Sequence, residues 1–155
     1  RMKLADNFSL SEFEASDTAA RLGIDNSIPA NLMPNLMQLV TWLQIFHNRL
    51  TRKFNRQIVI RISSGYRSDA VNKRVGGSSR SAHSSALAAD FKVDGFTVEE
   101  VFELIRELMT DTPADQVIQE FGRWIHVAVA VKGFKPRYQF LEAIKREGKT
   151  VYLPR

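Results

Sequence analysis

The sequence predicts an α+β domain built on a central, mainly antiparallel sheet with flanking helices. Three observations predict it. One long stretch carries apolar residues at three- and four-residue steps. Two short stretches meet around a tight "FGR" turn, as a hairpin does. The segments follow in the order helices, strand, helix, strand, helix, hairpin, helix. At 155 residues, with 44% hydrophobic composition and no repeat, low-complexity tract or linker, the expectation is one domain over residues 1–155.

Ser9 with Glu12 has the form of a capping box opening a short helix in "LSEFEAS", and "DTAARLG" reads as a further turn or two ended by Gly23. After Pro29, the residues Leu32, Leu36, Leu39, Val40, Leu43, Phe46, Leu50 and Phe54 share one helical face, which marks the main core helix. "QIVIRIS" alternates Ile58, Ile60 and Ile62 with more polar partners, as a half-buried strand does, and runs into "SGYRS". "DAVNKRV" predicts a short helix and "GGSSRSAHSS" a loop, which puts His83 in or beside that loop. "AADFKV" predicts a strand, and Thr97 with Glu100 caps the amphipathic helix "VEEVFELIRELM". "QVIQE" and "WIHVAVAV" form the hairpin. "QFLEAIKRE" predicts a closing helix stopped by Gly148, with "TVYL" after it.

Composition narrows the chemistry. Without cysteine there are no disulfides and no thiolate ligands, so histidines and carboxylates are the only groups left for a transition metal. No run is apolar for long enough to span a bilayer, and "RMKLADNFSL" lacks the apolar core of a signal peptide. The expectation is therefore a soluble protein, with Arg1 ahead of Met2 a remnant of expression. A net charge of +5 favours polyanionic surroundings: nucleic acid, an acidic membrane or acidic cell-wall polymer. The densest basic run, Arg49 to Arg56, falls where a helix should end, which the helix dipole favours without any ligand.

Three histidines invite comparison. His83 precedes Asp90 by seven residues; on a helix their side chains would stand about 10 Å apart along the axis, too far for one ion. A Gly- and Ser-rich loop lets the chain fold back so that Asp90, on the next strand, faces His83. His126, on the hairpin strand, is the natural third ligand, and two histidines with a carboxylate form a zinc set with a fourth position open. A hydrogen-bonded loop histidine is the competing reading of His83. His47, with no acidic neighbour in sequence, reads as structural or surface.

"SGYRS", "GGSSRSAH", "LAADF" and "EFGRWIHV", in that order and at these separations, resemble the zinc D-Ala-D-Ala carboxypeptidases and L-alanyl-D-glutamate endopeptidases that cut peptidoglycan stem peptides, especially the small forms of phage endolysins. The resemblance runs from "NFSLSEF" to "GKTVYLP". It implies the hedgehog/DD-peptidase fold, zinc (Zn2+) held by His83, Asp90 and His126, Arg67 at the substrate and transition-state oxygen, and Ser81 in substrate binding. Two positions depart from the family pattern: Ala86 stands where many members have Gly, and Arg123 where the general base is often an acid. Glu120 can replace that acid. If "FGR" is the turn, residues 118, 120, 124 and 126 share a face, and Glu120 lies diagonal to His126; Asp115, of opposite parity, is the reserve candidate. Trp124 reads as core or pocket wall.

These features together predict a zinc-dependent peptidase, D,D-carboxypeptidase or L,D-endopeptidase in type, acting on the peptidoglycan stem peptide. It would be monomeric, made in the cytoplasm without a signal peptide, and act at the cell wall in phage lysis or from a virion. Contact with acidic wall polymers is expected, with nucleic acid not. The alternative is a basic, non-catalytic module binding cell wall or nucleic acid.

Overall fold

A computed structural model describes residues 2–155, so Arg1 and its reading lie outside the described residues. Its architecture is α+β. A short N-terminal ribbon, β1 (Lys3–Ala5) with β2 (Phe8–Ser9), leads into helices α1 (Leu10–Glu14) and α2 (Asp17–Leu22). The long α3 (Met33–Phe54) follows, then β3 (Ile60–Ser64), α4 (Asp69–Arg74), β4 (Ala88–Val93) and α5 (Val98–Leu108). Four strands complete the chain: β5 (Gln116–Glu120), β6 (Trp124–Ala128), β7 (Gln139–Arg146) and β8 (Lys149–Pro154). The main sheet has six strands in the order β3-β4-β6-β5-β7-β8, every adjacent pair antiparallel except β5 and β7.

Local chemistry sets the ends. The Ser9 backbone N–H donates to Glu12 Oε2 at 2.7 Å, and Thr97 and Glu100 exchange bonds of 2.8 and 3.1 Å, so both expected capping boxes form. Gly23 at φ 66° closes α2. Along α3, Leu36, Leu39, Val40, Leu43, Phe46 and Leu50 are buried against one face of the sheet, where the Phe46 ring meets the edge of Phe91 at 6.4 Å. Val117, Ile125 and Val127 join this core with Val101, Phe102 and Ile105 of α5. Phe54, the last residue of the expected stripe, is partly exposed and packs on Phe96 instead.

One expected element is overturned. The segment read as a closing helix is strand β7, the first arm of a hairpin with β8. The chain turns at Glu147 and Gly148, both at positive φ (52° and 76°), the geometry that joins two antiparallel strands tightly. Its Glu, Lys and Arg residues favour helix locally. Without β7, however, β5 would be an open edge with unpaired backbone groups, and Phe140 would lose its contact with Phe102.

Candidate metal centre

The sheet register assembles the site. Asp90 on β4 pairs with His126 on β6, His126 with Ile118 on β5, and Ile118 with Leu141 on β7, giving one row across the sheet whose side chains share a face. The adjacent row holds Trp124, Glu120, Ala143 and Tyr152. Phe91, Ile125, Val127 and Val117 point the other way into the core, so the polar residues face a cleft of about 1020 Å³.

His83 arrives from outside the sheet. Ala82–Ser85 forms a single 3₁₀ turn, tighter than the loop expected, with the Ser81 hydroxyl accepting from the His83 backbone N–H at 3.2 Å. The turn is tied to α3 through Asn35 Nδ2, which donates to the Ser85 carbonyl. It ends at Ala86 with φ 58°, so the left-handed geometry that glycine adopts freely is kept here by alanine, buried at 1% exposure.

The Gly65 carbonyl accepts from His83 Nδ1 at 2.6 Å, which fixes the ring with Nε2 turned toward Asp90. Nε2 stands 3.3 Å from Asp90 Oδ1, and His126 Nδ1 stands 2.9 Å from the same oxygen. One ligand atom from each residue lies within 4.8 Å of the other two, a spacing that could hold a metal ion. Two imidazole nitrogens and a carboxylate oxygen, with one imidazole oriented by a backbone carbonyl, are a donor set that fits zinc. Burial alone would raise the Asp90 carboxyl, but hydrogen bonds from His126 and His83 outweigh it and keep Asp90 ionised far below the usual carboxylate range.

Glu120 comes to this centre as the hairpin parity predicts. Phe121 and Gly122 at the turn both take positive φ (57° and 66°), Arg123 N–H donates to the Glu120 carbonyl, and Glu120 pairs across from Trp124. Its Oε1 lies 3.6 Å from His126 Nδ1. Burial, and then the charge of Asp90, push the Glu120 carboxyl above its ordinary value, against smaller opposing pulls from His126 and the Trp124 indole. Arg67 lines the same cleft, half-buried, and its backbone N–H donates to the His83 carbonyl. Burial draws its guanidinium down from the ordinary value while the charges of Asp90 and Glu120 pull the other way. Ser81 is also on the cleft wall.

Two residues stand elsewhere. His47 is buried in α3, bonded through Nε2 to the Ile58 carbonyl, which agrees with a structural role. Asp115 borders the cleft but is bound to Arg137, whose backbone and guanidinium both donate to it at 2.8 Å. Sequence reasoning missed Gly65 and Asn26. A Cβ on Gly65 would stand 2.7 Å from Phe13 Cα, so only glycine lets this strand end pass α1 and offer its carbonyl to His83. Asn26, buried, donates to the Glu14 and Tyr66 carbonyls and accepts from Ser68 N–H, holding the segment that carries Arg67. Asn26 stands in an unpatterned loop, and Gly65, although inside the quoted "SGYRS", has no local signal that marks its carbonyl as the partner of His83.

An N,N,O donor set beside a carboxylate and a guanidinium, at the floor of an open cleft, is the kind of arrangement metal-dependent hydrolases use. A family model described as Peptidase M15 matches residues 6–128, and the chain belongs to that family of zinc-dependent metallopeptidases. Among curated proteins no match to the chain was found.

Proposed function

We propose that the chain is a zinc-dependent peptidase that hydrolyses an amide bond in the peptidoglycan stem peptide, in the manner of an endolysin. The observation that carries this reading is the meeting of His83, Asp90 and His126 at the cleft floor with Glu120 Oε1 3.6 Å from His126 Nδ1. In it, His83, Asp90 and His126 hold the ion. Zinc, when bound, supplies a Lewis acid that acidifies water and polarises a carbonyl. Glu120 takes a proton from the attacking water as its oxygen bonds to the carbonyl carbon. It returns that proton to the nitrogen as the C–N bond breaks, so the products are a carboxylate and a free amine. Arg67, with its charge kept out of bulk water, holds the carbonyl oxygen as it turns negative. Ser81 retains its hydroxyl hydrogen while accepting from His83, and can donate to the peptide backbone of the substrate.

The net charge of +5 suits work against an acidic wall polymer. No helix among the described residues is long and apolar enough to cross a membrane. The reading places the protein at the cell wall, as a monomer, in phage lysis or as part of a virion. Incubating the zinc-loaded protein with purified peptidoglycan and identifying the released fragments by mass spectrometry tests it and names the bond cut. Binding without any release, weakening steeply with salt, would instead make the chain a basic binding module.

A further inference from the structure

The cleft has a wall that the centre itself does not need. The loop of residues 130–138 runs from β6 to β7, beyond the stretch matched by the family, and brings Phe134 and Lys135 to the cleft. Phe134 is 74% exposed, the most exposed large apolar side chain among the described residues. The loop that carries it is anchored to the rest of the chain by hydrogen bonds. Asp115 bonds the Arg137 backbone N–H and guanidinium, the Asp115 carbonyl accepts from Gln139 N–H at 3.1 Å, and Phe134 N–H donates to the Val131 carbonyl.

Charge points to what the wall receives. Of the acids lining the cleft, Asp90 lies between two histidines, Asp115 is paired with Arg137, and Glu120 faces His126. Of the cations, Arg67, Arg80 and Lys135 enter no ion pair among the described residues. Arg80 is on the loop leading into the His83 turn, so Arg80 and Lys135 reach the cleft from two separate loops. Resting on the peptidase reading above, we infer that the 130–138 loop is a specificity wall: Lys135, with Arg80, receives a free carboxylate of the substrate peptide away from the scissile amide, and Phe134 covers the apolar part of that peptide. Asp115 is a positioning residue that holds the wall in place.

The test compares steady-state cleavage of purified muropeptides with the same muropeptides carboxamidated at their free carboxylates, by the zinc-loaded parent and by Lys135→Ala. The exposed Lys149→Ala, at the β7–β8 turn, is the control. The parent should show a KM about five- to tenfold lower for the carboxylate form, the size expected of a hydrogen bond to a charged group in a partly wet site. Lys135→Ala should remove most of that difference with kcat unchanged, and Lys149→Ala should preserve it. Phe134→Ala should raise KM for both forms. Discrimination retained in Lys135→Ala, while both forms are still cut, overturns the inference and leaves the peptidase reading standing. Failure of the parent to cut either muropeptide or intact peptidoglycan overturns that reading and the inference with it.

Discussion

Glu120→Gln keeps side-chain size and hydrogen-bonding capacity but removes the proton acceptor. A positioned general base contributes about 10²- to 10⁴-fold to rate, which at about 1.36 kcal/mol per decade is about 2.7 to 5.4 kcal/mol of the barrier. The Glu120 side chain is only 18% exposed, so bulk water has poor access to replace it, and the loss in kcat should reach at least about 100-fold. The fold should not suffer. Burial and the charge of Asp90 raise the Glu120 carboxyl, so near neutral pH the folded protein works against an ionised group there. Glutamine removes that charge, and the thermal midpoint of the metal-free protein should hold or rise. The assay is the rate of amine release from peptidoglycan, with zinc content and thermal unfolding measured on the same sample. A kcat within about threefold of the parent at equal zinc content would refute Glu120 as the base, given what such a base contributes. Asp115→Asn should leave kcat nearly unchanged, because its carboxylate is engaged with Arg137; the opposite ranking of the two variants would sink the assignment.

Gly65→Ala forces a Cβ against the Phe13 backbone and shifts the carbonyl that orients His83; it should lower stability by about 1–3 kcal/mol in urea unfolding. A competition titration should show zinc affinity weakened about tenfold or more, the usual cost of losing a group that orients a ligand. His47→Ala should cost about 1–3 kcal/mol by leaving the buried Ile58 carbonyl without its partner, and should leave zinc binding intact in the same titration. Burial alone would raise the Asp115 carboxyl, but its hydrogen bonds with Arg137 outweigh this and hold it below the ordinary 3.8. The stability from this pair is therefore present above that value and lost as pH falls through and below it, so the gap in thermal midpoint between the parent and Asp115→Asn should be full at pH 7 and shrink below about pH 4.

The parts of the site written in short-range patterns were legible in the sequence. Alternation along "QVIQE" and "WIHVAVAV" gives the parity that brings Glu120 and His126 to one face, and the observed pairing of Glu120 with Trp124 is the pairing that parity needs. The α3 stripe was equally plain, because its buried residues follow the helical period. The β7–β8 hairpin was not legible. Residues 139–147 carry helix-favouring Glu, Lys and Arg at a spacing that imitates an amphipathic helix, and only the edge of β5, set by residues 116–120, recruits them into the sheet. The same distance in sequence hid Gly65, since its requirement arises from Phe13, some fifty residues earlier. The counterion of Asp115, the reserve candidate for the base, was hidden in the same way: Arg137 lies beyond the hairpin and the following loop.

The most direct test of the central claim is the zinc content, by elemental mass spectrometry, of the purified parent and of four variants dialysed against the same trace-metal buffer. About one zinc per chain is expected in the parent, as for a single site with three protein ligands. His83→Ala, Asp90→Ala and His126→Ala should each lose it, while His47→Ala keeps it. Zinc retained through all three ligand variants, or lost equally from His47→Ala, would contradict the assignment of the centre to His83, Asp90 and His126.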